Sequence, residues 1–199
     1  MRGLQETRCI AIAGYKNTGK TTLVQGLTRW FAQRGRTVAV MKRDVHGFAA
    51  FADERVDTGR HLRAGAKRTL VVGRDGHLGL EIGQAGREEL GALIGWMGTA
   101  DVLLLEGWKD ASVSMAVLLG ETDWREEAYT APAFARAARE RGDLLAWIAP
   151  RPPLTVGDGL PVYLRDDIDG IAAQIERAFR QGAGRFDPEG LASYALGEQ

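Results

Sequence analysis

The chain has 199 residues, with 26 Lys and Arg against 26 Asp and Glu, and a single cysteine. This length predicts one domain with at most a short appendage. The balanced charge argues against a general nucleic-acid binder and against a binder of membrane surfaces, because both carry an excess of basic residues. One cysteine cannot form an internal disulfide, and no apolar run approaches the roughly 20 residues that span a bilayer. These features predict a globular protein of the cytoplasm.

Strands and helices are predicted to alternate along the chain. The first three elements are a buried strand at 8–13, a helix at 21–33 and a buried strand at 37–41, which together form a βαβ unit. The later strands are predicted at 101–106, 113–119, 144–149 and 161–164, and the later helices at 88–97, 133–141 and 168–180. This alternation predicts an α/β fold, with a mostly parallel sheet covered by helices on both faces.

Three segments depart from the alternation. The polar stretch 42–66 is predicted to be a loop with a short helix. Segments 68–72 and 77–82 flank an Asp-Gly turn signal and predict an antiparallel hairpin added to the sheet, whose open edge is the candidate contact of a homodimer. The domain is assigned to residues 1–180. The glycine-rich residues 181–199 are predicted to form a loosely docked C-terminal tail, with a short helix at 189–196 as the alternative.

The turn after the first strand carries a phosphate-binding motif. Residues 14–21 read Gly-Tyr-Lys-Asn-Thr-Gly-Lys-Thr and match G-x-x-x-x-G-K-[ST] between a predicted strand and a predicted helix. Glycines let the backbone wrap around phosphate with its N–H groups pointing inward, and the helix N-terminus adds positive partial charge. Lys20 is expected to reach the β- and γ-phosphates and Thr21 to ligate Mg²⁺. The candidate binding residues of this loop are Gly14, Lys16, Asn17, Thr18, Gly19, Lys20, Thr21 and Thr22.

Two acidic residues are candidates for completing a Mg²⁺ site with Thr21. Glu106 ends an apolar strand, so it is expected at the carboxyl edge of the parallel sheet, where ligands bind in open α/β folds. Asp44 follows the second strand and is expected at the same edge. Asp101 lies at the opposite end of the Glu106 strand and is expected to be structural. The predicted metal ligands are therefore Thr21, Asp44 and Glu106.

Four of the five lysines fall near this edge of the predicted sheet, at Lys16, Lys20, Lys42 and Lys109. The other 21 basic residues are arginines, so each lysine calls for a reason. A compact ammonium group on an apolar stem suits contact with a phosphate. The clustering of the four lysines supports a polyphosphate site.

Several segments resemble one known family, the molybdopterin-guanine dinucleotide biosynthesis adapter protein B (MobB) family. The resemblance covers most of residues 8–180. It rests on the phosphate loop with Thr22-Leu23, on Val40-Met41-Lys42-Arg43-Asp44 with His46, on the block from Asp57 to Ala66, on Leu104-Leu105-Glu106-Gly107-Trp108-Lys109, and on Leu160-Pro161-Val162-Tyr163 with Asp169-Gly170-Ile171-Ala172. The phosphate loop is shared by many families, whereas its combination with the other blocks is specific.

The resemblance implies a P-loop GTP-binding protein, typically dimeric, with at most slow Mg²⁺-dependent GTPase activity. Its family role is to assist molybdopterin guanylyltransferase, the partner that joins GMP to molybdopterin in making the molybdenum cofactor, and molybdopterin itself is a further candidate ligand. On this basis Asp44 and Glu106 complete the Mg²⁺ shell, while His61, Arg63 and Lys109 line the phosphate or partner face. The sequence contains no [NT]-K-x-D guanine-reading motif, so GTP is implied by the resemblance alone.

Two other functions are compatible with the phosphate loop. A small-molecule kinase or ATP-dependent ligase needs mostly positioning and electrostatics, which these residues supply, and the polar segment 43–66 would then bind the acceptor. The other alternative is a scaffold that binds no nucleotide.

A few remaining residues carry weaker expectations. Cys9 is predicted to be a small core residue rather than a nucleophile. Most of the five tryptophans fit helix or strand cores, whereas Trp108 follows Glu106 in a loop and is the one expected to be exposed for a partner or a pterin ring. The three histidines and the cysteine lack zinc-ligand spacing.

Overall fold

The computed structural model describes residues 7–43, 60–61, 64–74, 78–82, 86–120, 131–151 and 159–196. Within these ranges the predicted order of strands and helices is confirmed. The strands are β1 (Arg8–Gly14), β2 (Val38–Lys42), β3 (Arg68–Val72), β4 (Leu78–Ile82), β5 (Val102–Glu106), β6 (Met115–Leu118), β7 (Leu144–Ala149) and β8 (Val162–Leu164). The helices are α1 (Lys20–Ala32), α2 (Arg87–Met97), α3 (Ala133–Glu140), α4 (Ile168–Arg180) and α5 (Pro188–Leu196).

Six strands form one parallel sheet in the order β2-β5-β1-β6-β7-β8. Strand β1 lies inside this sheet, with Ile12 opposite Glu106 of β5 on one side and Ala116 of β6 on the other. Because all the neighbours are parallel, the carboxyl ends of the strands meet at one edge. That edge carries the loop after β1 and the end of β5.

The sheet is covered on both faces, as predicted, because alternate residues of β1 point to opposite sides. Cys9, Ala11 and Ala13 are buried in the core on the side of α2, α3 and α5. Ile10 and Ile12 are buried in the core on the side of α1 and α4. Helix α1 contributes Leu23, Val24, Leu27 and Phe31, whose helical spacing places them on one buried face.

The predicted hairpin is present, but in the described residues it does not extend the main sheet. Strands β3 and β4 pair antiparallel, with Arg68 opposite Ile82 and Val72 opposite Leu78, and form a separate two-stranded sheet. Strand β2 pairs in parallel with β5, and the hairpin pairs with neither. Leu70 and Val72, which share one face of β3, remain 59% and 68% exposed.

The C-terminal segment packs against the body of the protein rather than forming a loosely docked tail. Helix α5 buries Leu191, Ala192 and Tyr194 in the core on the α2 side of the sheet. The backbone N–H of Cys9 also donates to the carbonyl of Gly184 at 3.0 Å, which attaches the segment to β1. The short helix expected as the alternative is therefore present, and the packed region extends beyond residue 180, where the sequence places the domain boundary.

None of the helices in the described ranges is both long enough and apolar enough to cross a lipid bilayer.

Candidate phosphate-binding site

The loop between β1 and α1 has the backbone that a phosphate cradle requires. Gly19 is the N-cap of α1 and adopts a left-handed conformation with φ of 90°. Asn17, two residues earlier, has φ of 64°. Only glycine and, less readily, asparagine adopt this region without strain, so these residue types fit the turn. The turn brings the unpaired N–H groups of the first helical residues to the carboxyl edge of the sheet.

Lys20 folds back over the loop. Its Nζ donates to the carbonyl oxygen of Tyr15 at 2.5 Å. This contact holds the ammonium group against the loop. Burial lowers the pKa of Lys20, and the charges of Lys109 and Lys42 lower it further, against the opposing effect of Glu106. A bound anion would favour the charged ammonium group, so the site is electrostatically prepared for one.

Glu106 is the acidic group of this site among the described residues. It is 6% exposed, and its Oε1 accepts a hydrogen bond of 2.6 Å from the hydroxyl of Thr21. The Nζ of Lys42 lies 3.6 Å from the same oxygen. A buried carboxylate needs such partners, because an isolated charge is strongly disfavoured away from water. The predicted convergence of Thr21, Lys42 and Glu106 at one edge is therefore present.

Thr21 and Glu106 fit Mg²⁺ through the chemistry of their donor atoms. Magnesium prefers oxygen ligands and takes only one or two from protein carboxylates, with water and phosphate supplying the others. In the described part of the chain, no group of three or more His, Cys, Asp or Glu residues could hold a metal ion. One carboxylate and one hydroxyl would leave the other positions around a magnesium ion to phosphate oxygens and water. Asp44, the third predicted ligand, lies outside the described residues.

These side chains line a cleft of about 540 Å³ at the carboxyl edge of the sheet. Its basic residues greatly outnumber its single acidic residue, Glu106, among the described residues that line it. The lining residues are Gly14, Lys16, Asn17, Gly19, Lys20, Thr21, Lys42, Arg43, Glu106, Gly107 and Lys109. All four lysines singled out in the sequence converge here, and the cleft is suited to a polyanion.

Arg43 also lines the cleft, although it was not among the site residues predicted from the sequence. It directly follows Lys42 at the end of β2, and that position at the carboxyl edge was the available signal. Its guanidinium lies 4.4 Å from the ring centroid of Tyr194 in α5. Lys109 makes a similar contact with Tyr15, 5.0 Å from the ring centroid. Aromatic rings thus help to place two of the cations.

Other predicted site residues lie outside this cleft or outside the described ranges. The side chain of Thr18 donates to the carbonyl of Tyr15 at 3.0 Å and so braces the loop internally. Thr22 lines a neighbouring cleft instead. His61 is exposed, and the structure does not bring it to the lining of the phosphate cleft. Arg63 lies outside the described residues.

The expectations for the tryptophans require correction. Trp108 is 3% exposed and packs 5.6 Å from Tyr194, centroid to centroid, so it is not available for stacking on a partner. Trp96, in α2, is 68% exposed. Asp101 is structural, as predicted, because its Oδ2 accepts hydrogen bonds of 2.8 Å from the N–H and the hydroxyl of Thr37.

Comparison with known proteins settles the family. The sequence model of the family described as molybdopterin guanine dinucleotide synthesis protein B (MobB) matches residues 9–135, more than half of the chain. The chain belongs to this family. The resemblance stated from the sequence motifs is therefore confirmed.

Individual relatives agree with the family assignment. A protein of Bacillus subtilis (strain 168), described as a probable molybdopterin-guanine dinucleotide biosynthesis adapter protein, is 27% identical over 173 residues, covering 84% of this chain and 92% of the relative. A crystal structure of Bacillus subtilis MobB shares 26% identity and a TM-score of 0.61, covering 84% of this chain and 97% of that one. A MobB homologue from Bacillus stearothermophilus, at 22% identity, covers 87% and 98% with a TM-score of 0.55 and shares the fold.

Proposed function

We propose that this MobB-family chain is a Mg²⁺- and GTP-binding adapter that assists the attachment of GMP to molybdopterin. The observation that carries the proposal is the hydrogen bond between Thr21 and the buried Glu106 in a cleft lined by four lysines. The family assignment supplies the pathway, because the Bacillus subtilis relative is described as an adapter of molybdopterin-guanine dinucleotide biosynthesis. The two lines are independent of each other.

Phosphate binding follows from the charges of the cleft. Lys16, Lys20, Lys42, Arg43 and Lys109 line one cavity with the N-terminus of α1. A triphosphate would compensate their mutual repulsion, and Lys20 would exchange its hydrogen bond with the Tyr15 carbonyl for a phosphate oxygen. A single neutral substrate would leave these charges uncompensated.

Thr21 and Glu106 are the described residues that would hold Mg²⁺, and Asp44 remains a proposed ligand. When bound, the ion would neutralise phosphate charge and fix the phosphate chain against the loop. Glu106 is already engaged by Thr21 and Lys42. It is therefore placed to hold a ligand rather than to remove a proton from water, which supports slow turnover of GTP.

An adapter also needs surfaces for other chains. Leu70 and Val72 expose an apolar face on β3, and we propose the β3-β4 hairpin as the contact of a homodimer. The proposed partner of the dimer is molybdopterin guanylyltransferase. His61 is exposed outside the phosphate cleft, so its proposed role is in contact with that partner.

Calorimetric titration of the full chain with GTP and ATP, each with and without Mg²⁺, tests the nucleotide site. Capture of molybdopterin guanylyltransferase in the presence of GTP, of GDP and of no nucleotide then tests the adapter role. We expect Mg²⁺-dependent binding and capture that depends on the nucleotide. Capture in none of the three conditions would contradict the adapter role. Rapid ATP turnover on addition of a metabolite would instead indicate a kinase or ligase.

A further inference from the structure

A second cleft, of about 560 Å³, lies beside the phosphate loop. Thr22 and Gly26 of α1 form one side, and Pro150, which follows β7, lies on the other. Leu164, Arg165 and Asp166, at the end of β8, also line it, together with Arg29 of α1. Small-molecule pockets span about 300–1,000 Å³, so the cleft is large enough for a substantial organic group. Thr22 directly follows the phosphate loop and lines this cleft, so the cleft adjoins the place of a nucleotide held by the loop.

Arg165 connects this cleft with the phosphate loop. A Cβ atom on Gly19 would lie 2.9 Å from the Cδ of Arg165, so the arginine stem passes directly against the N-cap of α1. The Nε of Arg165 is buried, and no hydrogen-bond acceptor reaches it within the described structure. A buried donor without a partner is energetically unfavourable. Arg165 is therefore a positive group at the junction of the two clefts with a hydrogen bond still to make.

Asp166 differs from the other acidic residues around it. Asp167 caps α4 by accepting from the N–H of Gly170 at 2.9 Å. Asp169 accepts from the Nε1 of Trp30 at 2.6 Å. Asp166 is exposed at the cleft, and no side chain or backbone donor in the described ranges engages its carboxylate. Two of the three carboxylates thus have structural partners, whereas that of Asp166 has none there.

The backbone holds Asp166 in a defined position. The N–H of Arg165 donates to the carbonyl of Ala149 in β7 at 2.9 Å, and the N–H of Ile168 donates to the carbonyl of Asp166 at 2.8 Å. Residues 165–168 therefore run from the end of the sheet directly into α4. A carboxylate on such a rigid connection is suited to reading a ligand, because little conformational entropy is lost on binding.

We infer that Asp166 reads the base of the bound nucleotide and selects guanine. Guanine presents two neighbouring donors, the N1–H and the exocyclic amine at C2, and one carboxylate accepts from both. Adenine presents an unprotonated N1 at the same position. Because N1 and the carboxylate are both acceptors, no hydrogen bond would form between them. Arg165 is placed to donate to an oxygen of the phosphate nearest the nucleoside. This inference rests on the proposed function, and it supplies the guanine selectivity for which the sequence has no [NT]-K-x-D motif.

The test uses the full-length chain and its Asp166→Asn variant, titrated with the Mg²⁺ complexes of GTP, ATP and xanthosine triphosphate. Asparagine replaces one acceptor oxygen by a donor, which suits the 2-oxo group of xanthine better than the 2-amino group of guanine. We expect the parent to prefer GTP over ATP. The variant should lose GTP affinity by about 10- to 100-fold, the worth of charged hydrogen bonds, and gain affinity for xanthosine triphosphate.

Two controls separate this inference from the proposed function. Inorganic tripolyphosphate occupies only the phosphate loop, so its affinity should be equal in the parent and in Asp166→Asn. Asp169→Asn makes the same chemical change at a carboxylate bonded to Trp30, and should leave the ratio of GTP to ATP affinity unchanged. A parent that binds tripolyphosphate but does not distinguish GTP from ATP overturns the inference and leaves the phosphate site intact. An Asp166→Asn variant that keeps the parent's ratio of GTP to ATP affinity would also overturn the inference and leave the phosphate site intact. A parent that binds neither nucleotide nor tripolyphosphate overturns both.

Discussion

The hydroxyl of Thr21 and the carboxylate of Glu106 are joined by a hydrogen bond of 2.6 Å although the residues are 85 positions apart in the chain. The pairing of β1 with β5 brings them together, because Ile12 and Glu106 are in register and α1 starts a few residues after β1 ends. The geometry of the proposed metal site therefore depends on the order of strands in the sheet. The motif alone specifies only the Thr21 half.

Glu106→Gln should reduce the effect of Mg²⁺ on GTP affinity, and a residue with only a structural role would not have this effect. Glutamine keeps the size of the side chain and an oxygen for Thr21, but it removes the negative charge. We expect GTP to bind more tightly than to the parent when EDTA removes divalent ions, because less negative charge opposes the phosphates. The gain in affinity on adding Mg²⁺ should shrink by about tenfold or more. Calorimetry with and without Mg²⁺ measures both effects.

Asp101→Asn is the matched control for that variant. It makes the same carboxylate-to-amide change next to the other end of β5, where Asp101 bonds Thr37. Its effect should be limited to stability, with the Mg²⁺ dependence retained. Equal Mg²⁺ dependence in the parent and in Glu106→Gln would remove Glu106 from the metal site.

Lys20→Ala should abolish stabilisation of the protein by GTP while leaving the fold intact. The variant loses one hydrogen bond to the loop, worth about 0.5–1.5 kcal/mol, but it also loses an ammonium group whose charge is disfavoured in the folded chain. Differential scanning fluorimetry with Mg·GTP provides the measurement. Lys67 is exposed and lies outside the cleft, so Lys67→Ala should show the same increase in melting temperature with Mg·GTP as the parent. A normal shift in Lys20→Ala would refute the assignment of this lysine.

The lowered pKa of Lys20 also predicts a pH dependence. Burial disfavours the charged form of Lys20, and so do the charges of Lys109 and Lys42. The folded chain therefore releases this proton at a lower pH than the unfolded chain, in which the pKa of the lysine is about 10.5. The charge therefore opposes folding below the folded pKa, and this penalty disappears as the pH rises toward 10.5. Affinity for GTP should fall over the same alkaline range, since the neutral amine attracts phosphate less. Affinity that is flat up to pH 10.5 would contradict this account.

Leu70→Lys combined with Val72→Lys should convert the proposed dimer into a monomer. Both side chains lie on the exposed face of β3, and two like charges there would disfavour a second copy of the hairpin. Sedimentation velocity of the parent and of the variant measures the oligomeric state. Trp96→Lys removes an equally exposed apolar group from α2 and should leave the dimer unchanged. Loss of the dimer in Trp96→Lys alone would relocate the interface to α2.

Cys9 should resist thiol reagents until the protein unfolds. Burial raises the pKa of its thiol to about 12, so the reactive thiolate is scarce at ordinary pH and sterically inaccessible in β1. Labelling with an aromatic disulfide at pH 8 should proceed at the rate of unfolding and accelerate in denaturant. Rapid labelling of the native chain would contradict the burial of β1.

Since the folded pKa of the Cys9 thiol lies above the ordinary value of 9.0, the thiol's contribution to stability is complete below about pH 9 and declines as the pH rises to about 12.

Leu191→Ala should destabilise the protein, because α5 forms part of the core. Truncation of a buried leucine lowers the free energy of unfolding by about 2–5 kcal/mol. Chemical denaturation measures the loss, and Leu196→Ala provides the matched control at a half-exposed position on the same helix. A loosely docked tail would tolerate both substitutions equally.

The alternation of strands and helices was predictable because each kind of element has its own local pattern. Residues 9–13 form a short unbroken apolar run ending at a glycine, as in a buried strand, whereas Leu23, Leu27 and Phe31 follow the helical repeat. The convergence of four lysines was predictable for a related reason, since parallel strands place their carboxyl ends together. What the resemblance added was the family and its expected nucleotide.

The rest depended on contacts between distant segments that local patterns do not encode. Trp108 is buried because Tyr194 of α5 packs against it, and the glycine-rich C-terminal segment offers only a weak helical signal. Trp96 occupies a helical position that no described element covers. The hydrogen bond from Lys20 to the Tyr15 carbonyl depends on the backbone dihedral angles of the complete loop, which no short sequence pattern specifies.

Strand β1 has a hydrogen-bonded neighbour on each side and a separate apolar layer above and below it. No partial opening that detaches one helix or one edge strand would release its amides to solvent. We therefore expect hydrogen–deuterium exchange of residues 9–13 to require global unfolding, whereas the edge strands β2 and β8 exchange through local fluctuations. The loop that follows β1 is thus tethered to the slowest-exchanging part of the chain, and its attachment point should persist for as long as the molecule remains folded.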